Sequence, residues 1–243
     1  MIALGSASAD RVTIDTRFNG PPTSANGGCA CGVAARLIRD PAHPAEVALR
    51  APVPLGTGLD VERWGDAVKL RHGDVVVAEA RPAPAPEVVP PVRPTVAEAR
   101  AAMDRSWDTR PEVFAGCWVC SPTRDDGLGV TFGRLPGHDG VTAALVRTGA
   151  GVPQEDGRLA PEVAWGALDC VSYAPHLWDL ERPSMLAGMT AELLEPVPAG
   201  APAVAVGWPV HSDGRKHHTA SALLAADGRL LARARALWIT LRG

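Results

Sequence analysis

The chain has 243 residues, 46% of them hydrophobic, and a formal charge of −3 from 24 basic and 27 acidic side chains. It is long enough for one large domain or two small ones with real cores, and its charges are scattered without a block of one sign, so neither nucleic acid nor an anionic membrane is an expected partner. No apolar run approaches the roughly 18 residues of a membrane span, and MIALGSASAD lacks the basic start and long apolar stretch of a secretory signal; a cytoplasmic location is expected.

The first element is FNGPPTSANGG, 18 to 28, a loop leading into a helix expected over Gly27 to Ile38. That helix, GGCACGVAARLI, has small side chains, and no Asp or Glu occurs from Thr16 to Arg39. LRAPVPLG follows at 49 to 56, then VKLRHGDVVVAEAR, a hairpin turning at His72 to Asp74. RPAPAPEVVPPVRP, 81 to 94, has six prolines and reads as a linker, because proline forbids both helix interior and central strand. Beyond CWVC, 117 to 120, a second helix is expected from Pro161 to about Tyr173, with Pro at its first position and Glu162 in its first turn. LLEPVPAG at 193 to 200 echoes LRAPVPLG. HSDGRKHHTAS, 211 to 221, forms a charged tip, and the last hairpin turns at Asp227-Gly228. Alternation there sets Arg233 and Arg235 against Ala232, Ala234 and Ala236, as in a half-buried strand.

The chain is thus written twice. Each half reads as a leading strand, one helix and several antiparallel strands, an α+β pattern: a first unit over 1–81, a linker and connecting helix over 82–112, and a second unit over 113–243. Arginine far exceeds lysine, which occurs only at Lys69 and Lys216, a usage expected of a GC-rich bacterial genome.

FNGPPTSANGG, CWVC, PEVAWGALDC (161 to 170) and DGRKH (213 to 217) resemble the double-hotdog thioesterase-like superfamily, a group of bacterial acyl-CoA thioesterase-like proteins. The resemblance covers most of the chain. It implies a double hotdog, two curved antiparallel sheets each wrapping a central helix, with an acyl-CoA or acyl-carrier-protein thioester as substrate and coenzyme A present only as part of it. Ser121, after the second cysteine of CWVC, departs from the expected Gly.

Asp169 is the acid of interest. Positions four apart on a helix are stacked, so Trp165, Asp169 and Tyr173 share a stripe. Partial desolvation beside an indole raises a carboxylate pKa and suits a general base, whereas a hydrogen bond from Tyr173 lowers it. The bland alternative is an Asp bonded to backbone or to an arginine of the other half. The resemblance implies that an acid on this helix activates water or attacks the thioester carbonyl. Asn26-Gly27-Gly28 stands where a helix N-terminus offers free amides; Gly28 N–H, with Gly27 N–H, would polarise the carbonyl while Asn26 holds the loop. The alternative is glycine used only for tight packing or a turn.

Arg215, Lys216 and His217 either clamp coenzyme A phosphates at the site mouth or simply form a solvated hairpin tip; of the adjacent histidines, only one can face inward, and His217 is expected to. His43, His72, His138 and His176 read as surface residues. Trp165, Trp178 and Trp208 are candidates for an acyl tunnel or for core. Cys117 and Cys120 have knuckle spacing, but zinc needs four ligands and no second C-x-x-C exists, so no metal and no other cofactor is expected. Cys170 reads as a neighbour of Asp169 on another helix face. Two rivals to hydrolysis remain: a silent acyl-thioester or lipid-binding module, and an enoyl-thioester hydratase or dehydratase, which would want a histidine soon after the acid. A homo-oligomer is possible for such sheets.

Overall fold

The computed structural model describes residues 10–38, 43–106 and 111–242. In chain order the elements are β1 (Arg11–Thr13), α1 (Gly27–Ala35), β2 (Ala45–Leu49), β3 (Gly58–Trp64), β4 (Ala67–His72), β5 (Val75–Pro82), α2 (Val96–Met103), β6 (Gly133–Arg134), β7 (Thr142–Val146), β8 (Gln154–Glu155), β9 (Arg158–Leu159), α3 (Pro161–Val171), β10 (Ser184–Leu193), β11 (Ala203–Asp213), β12 (Lys216–Ala225) and β13 (Leu230–Thr240). Both expected hairpins form, turning through Gly73 and Gly228, whose positive φ angles of 58° and 83° suit glycine. Along β13, Ala232, Ala234 and Ala236 are buried while Arg235 is exposed and Arg233 partly so. Helix α1 stops at Ala35, three residues short of expectation, and α3 stops at Val171.

Read outward from the central β2–β10 pair, the sheet runs β2, β5, β4, β3, β1 on one side and β10, β13, β12, β11, β7 on the other, with β6 appended. Setting aside β6 and the separate β8–β9 hairpin, each half has the same order: a strand that precedes its helix (β1 or β7) lies at the outer end, and the first strand after the helix (β2 or β10) lies at the centre. A second correspondence joins the PVP segments to the helices. Ala25 N–H, two residues before α1, donates to Val53 O at 2.8 Å, and Leu159 N–H, two residues before α3, donates to Val197 O at 2.9 Å.

One expectation is corrected here. Rather than one sheet per half, eleven of the strands make one continuous antiparallel sheet, with β8 and β9 a separate two-stranded hairpin, because β2 and β10 pair along Ala45 to Ala48 and Gly188 to Ala191. That pairing satisfies backbone groups which two separate sheets would leave as open edges.

Helices α1 and α3 lie together on one face. Their seam is made by small residues: a Cβ on Gly28 would sit 2.5 Å from Trp165 O and 2.9 Å from Gly166 Cα, and one on Gly32 would sit 2.4 Å from Glu162 Cα. The contacts run in opposite order along the two chains, so the helices are antiparallel. This close approach explains why Gly28 to Ala35 are all buried. Helix α2, closed by a Thr95–Glu98 capping box, packs on the opposite face, with Ala99 and Ala102 against Val204, Val206, Ala222 and Leu224. Strand β11 alternates between the two cores, Ala203 and Ala205 facing the α1–α3 side.

Candidate active site

A cavity of about 470 Å³ opens where the N-terminus of α1 meets the later turns of α3. Its walls are mostly apolar: Leu49 to Val53 from the first PVP segment, Met185 to Ala187 of β10, Trp238 and Ile239 of β13, and Phe114 and Phe132. Polar groups are fewer: Asn26, Asp169 and Tyr173 with the thiols of Cys117, Cys120 and Cys170, and also Thr23, Ser24 and Arg50, whose guanidinium is paired with Glu79. A mostly apolar cavity with a few convergent polar groups is the usual form of a ligand site.

Asp169 is 2% exposed. Its Oδ2 accepts the Gly28 N–H at 2.7 Å, and its Oδ1 is buried without a partner. Among the described residues, no arginine is bonded to it. Burial, with a smaller contribution from Cys117, raises its pKa from the ordinary carboxylate value to about 7, the Gly28 amide and the Asn26 side chain opposing that rise. The carboxyl is therefore poised between its two protonation states near neutral pH.

This pairing corrects the role expected of Gly28. Its amide is committed to the carboxylate, because the glycine seam presses α1 against α3: a Cβ there would lie 2.3 Å from Asp169 Cβ. Asn26 caps the helix as expected, its Oδ1 accepting Cys29 N–H at 3.0 Å while its own backbone carbonyl accepts Ala30 N–H. Among the first-turn amides of α1, Gly27 N–H is left for a ligand, and Gly27 lines the cavity beside Asp169.

Tyr173 also lines the cavity, but its hydroxyl accepts Ser184 N–H at 3.2 Å and supplies no hydrogen bond to Asp169. Trp165 does not share the site. The Trp165–Asp169 stripe lies along the seam with α1, so that Trp165 reaches the other end of α1 and lines a separate cleft of about 60 Å³ with Gly32, Ala35, Arg36 and Pro161. Trp178 packs on Phe132 and donates to Tyr173 O, and Trp208 packs on the α2 side; among the described residues the tryptophan that lines the cavity is Trp238, which the sequence did not single out.

The DGRKH tip lies outside the cavity lining. His217 is buried, its ring nitrogens 2.9 Å from Ser212 Oγ and Thr240 Oγ1, and Arg215 donates to Thr240 O at 2.7 Å beside the rim residue Leu241. Arg215 and Lys216 are exposed. His43, His72 and His138 are exposed as expected, but His176 is half-buried with its ring 5.6 Å from that of His217. It does not line the cavity, which removes the histidine an enoyl-thioester hydratase would want.

Sequence reasoning missed Glu162. It is 4% exposed and held by Arg36 Nη1 at 2.8 and 3.0 Å, with Glu155 on the same guanidinium at 2.6 Å. The acid on α3 paired to an arginine of the other half is thus Glu162, and its place in the first turn disguised it as a helix-start signal.

No family model and no curated protein matches the chain. Solved structures do. A conserved protein with a hot dog fold from Alicyclobacillus acidocaldarius aligns with a TM-score of 0.61 at 13% identity, over 98% of this chain and 96% of its own. The fold is a hot dog. The tesB protein of Mycobacterium avium subsp. paratuberculosis is similar to this hot dog chain with a TM-score of 0.62 at 12% identity, over 98% and 95% of the two chains. An acyl-CoA thioesterase II, TesB2, of Mycobacterium marinum gives 0.56 at 16% identity, over 98% and 95%. Among the described residues, no helix of this hot dog protein is long and apolar enough to cross a membrane.

Proposed function

We propose that the protein is a double-hotdog hydrolase of acyl thioesters, acyl-CoA or acyl-carrier-protein, with Asp169 as general base. The observation that carries this reading is Asp169 itself, a buried carboxylate with no cation bonded to it among the described residues, one oxygen unpartnered, lining a mostly apolar cavity beside the Gly27 N–H. The likeness in fold to a protein named acyl-CoA thioesterase II supports the substrate class, and the repeated strand order supports two hot dog units in one chain.

The acyl chain occupies the apolar part of the cavity, and its carbonyl lies at the α1 N-terminus. Asp169 takes a proton from water at Oδ1 as the water oxygen attacks the carbonyl carbon. Gly27 N–H, with the positive end of α1 behind it, holds the oxyanion. Collapse breaks the C–S bond, and the protonated Asp169 returns its proton to the leaving thiolate, giving acid and free thiol. The Gly28 N–H fixes the carboxylate rotamer throughout. Direct attack by Asp169 Oδ1 on the carbonyl, followed by hydrolysis of the resulting anhydride, uses the same groups. Arg215 and Lys216, near the rim, hold the phosphates of coenzyme A.

The test is thiol release from a panel of acyl-CoAs of graded chain length, run beside calorimetry with a non-hydrolysable acyl-CoA analogue. Turnover with binding of the analogue is expected. Binding of the analogue without turnover of any panel member contradicts hydrolysis and identifies a binding module instead.

A further inference from the structure

The knuckle spacing of Cys117 and Cys120 supplies two metal ligands, and the fold adds a third. Cys170 on α3 brings its sulfur to 3.9 Å from Cys117 Sγ, and the three sulfurs all lie within 4.8 Å of one another. A zinc ion bonded to thiolates at about 2.3 Å in tetrahedral geometry holds its sulfurs roughly 3.8 Å apart, so the cluster is near the size a single ion needs. Asn26 Nδ2 donates towards two of the sulfurs, at 3.4 Å from Cys170 Sγ and 3.8 Å from Cys117 Sγ. Such N–H donors steady thiolate ligands from outside the coordination sphere. All three cysteines line the cavity, which leaves the fourth side of the cluster open to solvent or a small ligand.

We infer that Cys117, Cys120 and Cys170 form a three-thiolate site for one thiophilic divalent cation, zinc, at the wall of the cavity. The three thiols release their protons to solvent on binding, as zinc ligation requires. Three soft ligands select zinc over the hard cations calcium and magnesium. The open fourth position takes water or a small sulfur or oxygen donor from the cavity. The site ties the CWVC turn to α3, two segments otherwise far apart in the chain. It shares the cavity with Asp169, on whose carboxyl Cys117 and Asn26 also act, but its three ligands are not groups assigned a step in the hydrolysis.

Cobalt is the probe, because thiolate-to-cobalt charge transfer is intense in the near ultraviolet and tetrahedral cobalt shows strong visible bands. The reduced, chelator-treated full chain is titrated with Co²⁺ and then with Zn²⁺. Saturation at one Co²⁺ per chain is expected, with both band sets present and zinc abolishing them. Cys117→Ser, Cys120→Ser and Cys170→Ser should each remove one thiolate's share of the charge transfer and weaken binding, while Cys31→Ser, outside the cluster, should leave both unchanged. As a check that does not depend on variants folding, zinc should protect the three clustered thiols of the wild-type chain from alkylation, read by mass spectrometry. A wild-type titration without charge-transfer bands, or zinc that leaves alkylation of these cysteines unchanged, overturns the site.

Discussion

The two helix N-termini of the α1–α3 seam occupy corresponding places and differ at every position that matters for chemistry. Helix α1 begins Gly27-Gly28 and α3 begins Pro161-Glu162. At the first, an amide is free, the cavity is about 470 Å³, and the residue facing it from the eighth step along the partner helix is Asp169. At the second, proline has no N–H to offer, the cleft is about 60 Å³ and holds Trp165, and the residue at the eighth step of α1 is Ala35. The acid at that end, Glu162, is neutralised by Arg36. One repeat has thus been kept open with an unpaired acid, while the other has been closed with an indole and an ion pair. Placement within the fold is shared; pairing and space separate a site from a scaffold.

Stability against pH should show the largest contrast. The folded pKa of Asp169 lies above its unfolded value, so its contribution to stability is complete below about pH 4 and is lost as the pH rises through about 7. Asp169→Asn, which keeps an acceptor for Gly28 N–H, should remove that loss, making the metal-free variant more stable than wild type at pH 8 by up to ~4 kcal/mol in denaturant melts. Glu162→Gln, which removes one partner of Arg36, should show no such gain.

Gly27→Pro makes the first N-terminus resemble the second. Proline is tolerated at the first helical position, and Asn26 already has φ −56° and ψ 133°, which suits the residue before proline. A Cβ there would lie 2.9 Å from Leu186 Cδ2 and 3.1 Å from Leu186 Cβ, so the Leu186 side chain must shift; with the fold retained in circular dichroism, kcat for thioester hydrolysis should fall ~10²-fold or more, the usual effect of deleting one oxyanion donor.

Glu162→Gln breaks the pair at the closed end. A fully buried pair costs ~3–5 kcal/mol to break, but Arg36 is 39% exposed and keeps Glu155, so a loss of about 1–2 kcal/mol is expected in the same melts. The smallest effect is expected at the rim: joint replacement of Arg215 and Lys216 by alanine should raise KM for acyl-CoA several-fold, in line with ~0.5–1 kcal/mol per exposed ionic contact, and leave KM for an acyl-pantetheine unchanged.

Much of this contrast was legible in the sequence. The paired PVP segments exposed the duplication, and Pro-Glu at 161 and 162 against Gly-Gly at 27 and 28 fixed where the helices start. Asp169 stood out because the matching helix has no acid. Local patterns could not reveal which partner each group finds across the chain. The Trp165–Asp169 stripe was real, but it faces α1, so its two ends open into different spaces. Cys170 meets Cys117 across 53 positions, and Gly28 meets Asp169 across 141; neither distance leaves a mark on spacing. Trp238 was hidden in an alternating strand whose inward face is otherwise alanine.

The measurement that tests the central claim most directly is kcat/KM for acyl-CoA hydrolysis by Asp169→Asn and Glu162→Gln, each compared with wild type on the same substrate. The account predicts a fall of ~10² to 10⁴ for Asp169→Asn, as expected for loss of a general base, and near-wild-type turnover for folded Glu162→Gln. Equal turnover by wild type and Asp169→Asn would contradict it.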